Sequence, residues 1–360
     1  MALKLLHAAD LHLDSPFHRL TAQQAAQRRG ELRQIPARLA RLAREEEVDL
    51  VLLPGDLFDG ERVYPETVRA LADALADIPA PVFIAPGNHD FYHPSSPYET
   101  TLWPENVHIF TSPAVTGVPL PGLDCVVYGC AFPAPRREDD PLLGFSAPRD
   151  GRLHLLCLHG DAHAPAGGVY APIAPQSLAG SGVHYAALGH IHAPTGLRWA
   201  GPVPWAYPGC PEGRGFDECG ERGALTVTVE PGQVQTQFHP LCRRQYQIRQ
   251  VELAAFPRAL TECPPEDLVR WILIGESAAP PDLAALAAQA QEHCFYAEVR
   301  DETTLPQDLW ARREENSLTG LFLREMARRL EVADGEGRAT LLLAARFGLA
   351  ALEGGEDIRP

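Results

Sequence analysis

Residues 49–60 read DLVLLPGDLFDG, an unbroken apolar run at 50–53 closed by Pro54-Gly55 and a polar segment. So short a run, apolar at every position, predicts a strand buried on both faces, with GDLFD in the loop beyond its end. The pattern recurs. LKLLHAA (3–9) leads into Asp10-Leu11-His12, and PVFIA (81–85) into Pro86-Gly87-Asn88-His89-Asp90. LHLLCL (153–158) leads into His159-Gly160, and VHYAAL (183–188) into Gly189-His190-Ile191-His192. Helical stretches intervene at 20–47, split at Pro36, and at 65–78, which opens on Pro65. Strands alternating with helices and ending in polar loops predict an α/β fold that presents its ligands beyond the strand ends.

Further strands are expected near 107–110 and 125–130, a Pro- and charge-rich loop at 131–150, and a hairpin over 224–238 around Pro231-Gly232. A boundary near 240 separates residues 1–240 from a small α/β unit at 241–304 and a helical segment at 305–360. In the small unit, strands are expected at 247–253 and 295–300 and helices at 265–273 and 281–291. In the last segment Ser317 is read as an N-cap. Leu318, Leu321, Phe322, Met326 and Leu330 are read as one face, and a turn is expected at Asp334-Gly335. ATLLLAARFGLAAL (339–352) is too apolar for a helix exposed all round.

The 360 residues suit about two domains, and 45% apolar with 22% charged residues describes a globular chain with a large core. No apolar run is long enough to span a membrane, and Asp10 and His12 interrupt the N-terminal stretch too soon for a secretory signal, so the expected location is the cytoplasm. Eight cysteines without a CxxC pair read as free thiols. The net charge of -16 argues against broad, sequence-blind nucleic-acid binding but leaves room for a local site built on metal ions and a few arginines. Between Arg19 and Arg44 the sign reverses, with seven arginines and one acid, Glu31. That stretch is a candidate basic surface, or simply an exposed amphipathic helix.

The strand-end loops carry the chemistry. Together they supply carboxylates, an amide oxygen and imidazoles, a mixture that Mn, Fe or Zn accepts, in numbers that suit two ions. Asp56 can bridge two cations with one carboxylate. Asn88 adds an oxygen without adding charge. If Asp10-Leu11-His12 and His190-Ile191-His192 are extended, alternate residues point the same way. Gly55, Gly87 and Gly189 let the backbone turn at the strand ends. His7, His154 and His184 read as packed core residues, Asp161 and His163 as loop residues, and Cys210 as a packed thiol.

This order of motifs, DxH, GDxxD, GNHD, a later His and GHxH, resembles the calcineurin-like metallophosphoesterase superfamily over roughly residues 4–200. HAADLHLDSPF (7–17), YAALGHIH (185–192) and YPGCPEGRGFDE (207–218) resemble its SbcD-type DNA repair exonucleases, and especially their YhaO-like branch. The resemblance implies a two-sheet α/β sandwich with metals at the strand ends. It assigns one metal to Asp10, His12, Asp56 and His192, and the other to Asp56, Asn88, His159 and His190. His89 becomes the non-ligand catalytic histidine and Asp59 the acid that orients it. The implied activity is Mn-dependent hydrolysis of DNA phosphodiesters, with Fe, Mg or Zn compatible with the same donors. A small-substrate phosphodiesterase or nucleotidase is the second reading. An adaptor subunit of an ATPase complex, with a silent metal site, is the third. The implied partners are DNA, an SbcC-like coiled-coil ATPase docking on the C-terminal helices, and a second copy of the chain.

Overall fold

The computed structural model describes residues 2–60, 63–164, 167–277, 279–306 and 310–352. The chain divides into two units, one up to Gln245 and one from Tyr246 onward.

Two six-stranded sheets form the first unit. In one, β1 (Leu3–His7), β2 (Leu50–Leu53), β3 (Val82–Ile84) and β4 (Val107–Ile109) pair in parallel. In the other, β6 (Cys125–Gly129), β7 (Leu153–His159), β8 (Tyr185–Gly189) and β10 (Val203–Ala206) do the same. Three of the four edges are antiparallel, β5 (Thr116–Leu120) beside β6, β9 (Arg198–Ala200) beside β10, and the hairpin β11 (Gly223–Glu230) and β12 (Gln233–Pro240) beside β1, while β4 forms a parallel edge.

Side-chain alternation explains the apolar runs. Leu50 and Leu52 point between the sheets, where they join Leu5, Phe83, Leu155, Cys157 and Tyr185. Val51 and Leu53 point the other way, into the layer made by α1 (Ala22–Leu32), α2 (Ile35–Glu45) and α3 (Pro65–Ala76). Both faces of the strand are dry, so no polar residue interrupts it. Pro36 sits in the first turn of α2 and separates it from α1. Two short helices, α4 (Pro97–Thr100) and α5 (Pro175–Gly180), also lie in this unit.

The basic stretch is largely neutralised within the fold. Arg28 is fully buried and pairs with Glu31 at 2.7 Å and Glu212 at 2.8 Å, and Arg244 joins Glu31 at 2.7 Å. Arg33 pairs with Asp14, while Arg38 and Arg44 donate to the carbonyls of Leu241 and Asp77. The bond from Arg244 to Glu31 carries the first unit a few residues past the end of β12.

The second unit contains a parallel three-stranded sheet, β13 (Tyr246–Glu252), β14 (Leu268–Ile274) and β15 (Tyr296–Asp301). Helices α6 (Phe256–Thr261) and α7 (Leu283–Gln291) lie along the connections. The helix expected over 265–273 is therefore incorrect. Pro265-Glu266-Asp267 imitates a helix start, but Val269, Trp271 and Leu273 alternate into the core beside Phe256 and Leu260. Period-2 burial between two strand neighbours outweighs the local N-terminal signal.

Helices α8 (Leu318–Val332) and α9 (Gly335–Leu352) pack on each other and on Leu305. Ser317 caps α8 by accepting the Gly320 N–H at 3.0 Å. Of the face expected for α8, Met326, Leu330 and half-buried Phe322 pack inward together with Leu323, while Leu318 and Leu321 are exposed. Buried Arg346 fastens α9 to Asp301 and to the Thr303 carbonyl. Residues 307–309 and 353–360 of this segment lie outside the described residues. Among the described residues no helix is long and apolar enough to cross a membrane. All eight cysteines are free thiols, and Cys210 is packed in the interior.

Candidate metal centre

The C-terminal ends of β1, β2 and β3 meet those of β7 and β8 at one edge of the sandwich, the edge where open α/β sheets hold ligands. Backbone bonds from Asp10 N–H to the Gly55 carbonyl (3.1 Å) and from His12 N–H to the Asp56 carbonyl (2.9 Å) tie the first two loops together. Asp10, His12 and Asp56 have left-handed backbones, with φ of 54°, 44° and 52°, and His190 has φ of 112°. Non-glycine residues adopt such angles at a cost, and they gather at functional sites. Asp10 and His12 thus converge through two left-handed kinks, not through the extended alternation expected. Gly87 and Gly189 are needed for close approach: a Cβ on Gly87 would strike the Asp56 carboxylate, and one on Gly189 the Pro54 carbonyl.

The ligand-type side chains form two groups that Asp56 links. Asp10, His12 and His192 place donor atoms within 4.8 Å of one another, and so do Asp56, His159 and His190. His12 Nε2 lies 3.1 Å from His192 Nε2 and 3.8 Å from Asp56 Oδ2. On the other side, His159 Nε2 lies 3.4 Å from Asp56 Oδ2 and 3.0 Å from Asn88 Oδ1. A third grouping within the same limit joins His12, Asp56 and His89. His89 differs from its neighbours in being exposed, and its backbone N–H donates to Asp56 Oδ1 at 2.9 Å.

Behind these residues stands a layer that fixes their orientation. His12 Nδ1 donates to Asp59 at 2.9 Å, His192 Nδ1 to Glu218 at 2.6 Å, and His159 Nδ1 to the Pro54 carbonyl at 3.0 Å. Asp59, expected to orient His89, instead holds His12 and accepts from Arg214 at 2.9 Å. Three further residues take part that the sequence motifs do not single out. Arg214 and Glu218 lie inside the YPGCPEGRGFDE segment, and Asp90 ends GNHD. Asp90 is buried and accepts from the N–H groups of Asp56, Leu57, Phe58 and Gly87 and from the Tyr98 hydroxyl. One carboxylate thereby locks the GDLFD loop to the GNHD loop. Asp161 and His163 have local roles: Asp161 accepts the His163 N–H at 2.8 Å, and the His163 ring packs on Trp205 and Tyr207. His7 is held in the core by Tyr185 and the Leu188 carbonyl.

Burial dominates the electrostatics. It raises the Asp10 carboxyl to about 6, against the pull of His192. It raises Asp56 further, with the charges of Asp90 and Asp10 adding to the effect. It pushes His12 and His159 well down and His190 to about 4, so their imidazoles are neutral. Glu218 goes the other way: although burial opposes its charge, His192 and Arg214 hold it well below the usual carboxylate range. Neutral imidazoles with aimed lone pairs, beside carboxylates short of counter-charge, are what a divalent cation fits.

The family model of the calcineurin-like phosphoesterases matches residues 3–194. Over 250 residues the chain is 32% identical to the metallophosphoesterase YhaO of Bacillus subtilis, covering 66% of this chain and 60% of that one. It is 33% identical over 227 residues to the DNA double-strand break repair protein Mre11 of Aeropyrum pernix, covering 57% and 53%. It is 24% identical over 278 residues to the SbcD component of the SbcCD nuclease of Bacillus subtilis, covering 65% and 68%. The chain thus spans less than two thirds of the length of the first two relatives.

Proposed function

The chain belongs to the calcineurin-like phosphoesterase family, and from that premise we propose that it is a two-cation phosphodiesterase acting on DNA. The observation that carries the reading is the pair of donor groups sharing Asp56 at the strand ends. Asp10, His12, His192 and Asp56 hold one cation, and Asp56, Asn88, His159 and His190 hold the other, with manganese as the proposed ion. When bound, such ions lower the pKa of a water and draw charge from the phosphoryl oxygens.

The chain's own residues supply the rest. Asp10 and Asp56 bring the negative charge that keeps divalent ions in place. Asp59, Glu218 and Pro54 engage Nδ1 of His12, His192 and His159, which turns Nε2 of each ring toward the centre. His89 has its backbone tied to Asp56 and its side chain exposed at the rim, where it donates a proton to the departing oxygen.

The DNA assignment is supported by two relatives, one named for double-strand break repair and one as part of a nuclease. The net charge of -16 and the internal pairing of the basic stretch favour a second reading, a small phosphodiester or nucleotide substrate. A coiled-coil ATPase partner belongs to the same proposal, docking on the outward Leu318, Leu321 and Leu343. End-labelled single- and double-stranded DNA, assayed beside a small aryl phosphodiester with Mn, tests the choice. Degradation that depends on His89 supports DNA; small-diester turnover with intact DNA supports the second reading.

A further inference from the structure

The two groups of ligand-type residues are backed differently. His159 leans on a backbone carbonyl, that of Pro54, whereas His12 and His192 each lean on a carboxylate, Asp59 and Glu218. One guanidinium joins those two carboxylates. Arg214 Nη1 donates to Asp59 Oδ1 at 2.9 Å and Nη2 to Glu218 Oε1 at 2.9 Å, while its backbone N–H reaches Glu218 Oε2 at 2.7 Å. The three side chains are 18%, 21% and 5% exposed, so water screens them little.

We propose that Arg214 is the positioning residue for the cation held by Asp10, His12 and His192, and that it leaves the other cation unaffected. The proposal rests on the two-cation reading above. Its physical basis is a crowd of negative charge. Asp10, Asp56, Asp59 and Glu218 surround one corner of the centre, and a cation placed there attracts all four. Asp59 and Glu218 do their work only if they stay behind the imidazoles. If either swings forward to meet the ion, the ring it supports loses its orientation. The guanidinium fork binds both carboxylates at once, with Nη2 also 3.0 Å from His192 Nδ1, and fixes them beside Nδ1 of each ring. A lysine offers a single point charge and cannot span both acids in the same way. Partners that orient ligating histidines typically change metal affinity about 10–100-fold.

The test is a cobalt(II) titration of the full chain, freed of metal with a chelator and followed by calorimetry and visible absorption. The unaltered protein is expected to show two binding events. In Arg214→Gln one event keeps its affinity while the other weakens by about 10–100-fold, and the absorption bands change for that event alone. Arg214→Lys should fall between the two, and Glu218→Gln should reproduce the one-site loss. Equal weakening of both events in Arg214→Gln, or of neither, overturns the proposal. If Arg214→Gln does not fold, two unchanged events in Glu218→Gln overturn it equally. An unaltered protein that binds no cobalt fails at an earlier point and removes the two-cation reading itself.

Discussion

The Nε2 atoms of His12 and His192 face each other across 3.1 Å, and each ring turns its other nitrogen to a carboxylate. Each ring gives its Nδ1 proton to the opposite side, His12 to Asp59 and His192 to Glu218. The 2.6 Å contact to Glu218 requires that proton, because Arg214 and His192 keep Glu218 ionised. Burial keeps His12 from taking a second one. The two Nε2 atoms therefore converge on one point, and His159 Nε2 meets Asn88 Oδ1 at 3.0 Å on the other side of Asp56. Nitrogen and oxygen donors so placed would suit a divalent cation.

Asp56 faces both groups, so its removal should dismantle both. Protein reloaded with Mn after chelation is expected to approach two ions per chain, and Asp56→Ala to lose most of both. Elemental analysis after gel filtration measures this. Full metal content in Asp56→Ala would show that the carboxylate does not bridge.

His89 tests the chemistry apart from the binding. His89→Ala should keep its metal and lose at least ~10²-fold in hydrolysis of a diester with a poor leaving group, the lower end of general-acid catalysis. The defect should shrink with a nitrophenolate leaving group, which needs little protonation. Because Asp59 holds His12 and not His89, Asp59→Asn should instead weaken metal binding. Equal rate losses for good and poor leaving groups would remove His89 as the acid.

The pH dependence of metal binding follows from Asp10, whose carboxyl burial raises to about 6. In the metal-free protein this group binds a proton that the unfolded chain has already released. Its contribution to stability is therefore present at low pH and lost as pH rises through about 6. A bound cation replaces that proton, so affinity should fall about tenfold per pH unit below that point for each proton displaced. The gap in melting temperature between Mn-loaded and metal-free protein should widen from pH 5 to pH 7. A constant gap would mean that Asp10 does not meet the ion.

What the sequence reveals depends on how far each interaction reaches. β2 is legible because both its faces are buried, so LVLL has to be apolar throughout, and the polar loop that follows marks the strand end. The edge strands β5 and β9 are not, since their exposed positions and the Pro119 and Gly117 of β5 leave no pattern to read. β14 misleads because Pro265-Glu266-Asp267 is a genuine local helix signal overruled by partners on both sides. The layer behind the imidazoles is hidden for a related reason. Arg214 and Asp59 are 155 positions apart, and no local period links a guanidinium to an acid at that separation.

The buried cluster around Arg28 gives the last prediction. Arg28 is fully buried between Glu31 and Glu212, with Arg244 on the far side of Glu31. The four charges cancel, but only together. Arg28→Met leaves Glu212 buried without its guanidinium, and breaking a buried pair from one side typically costs about 3–5 kcal/mol. The double variant Arg28→Met/Glu212→Leu removes both charges of that pair and should recover much of the loss. Urea unfolding of the first unit measures both. Arg28 also donates to the Gly213 carbonyl at 2.8 Å, next to Arg214, so the single variant should loosen the turn that carries Arg214 and Glu218 and weaken cation binding by His12 and His192. A cost below about 1 kcal/mol, the value of a solvent-exposed pair, would mean that water reaches the cluster and that the turn is held by other contacts.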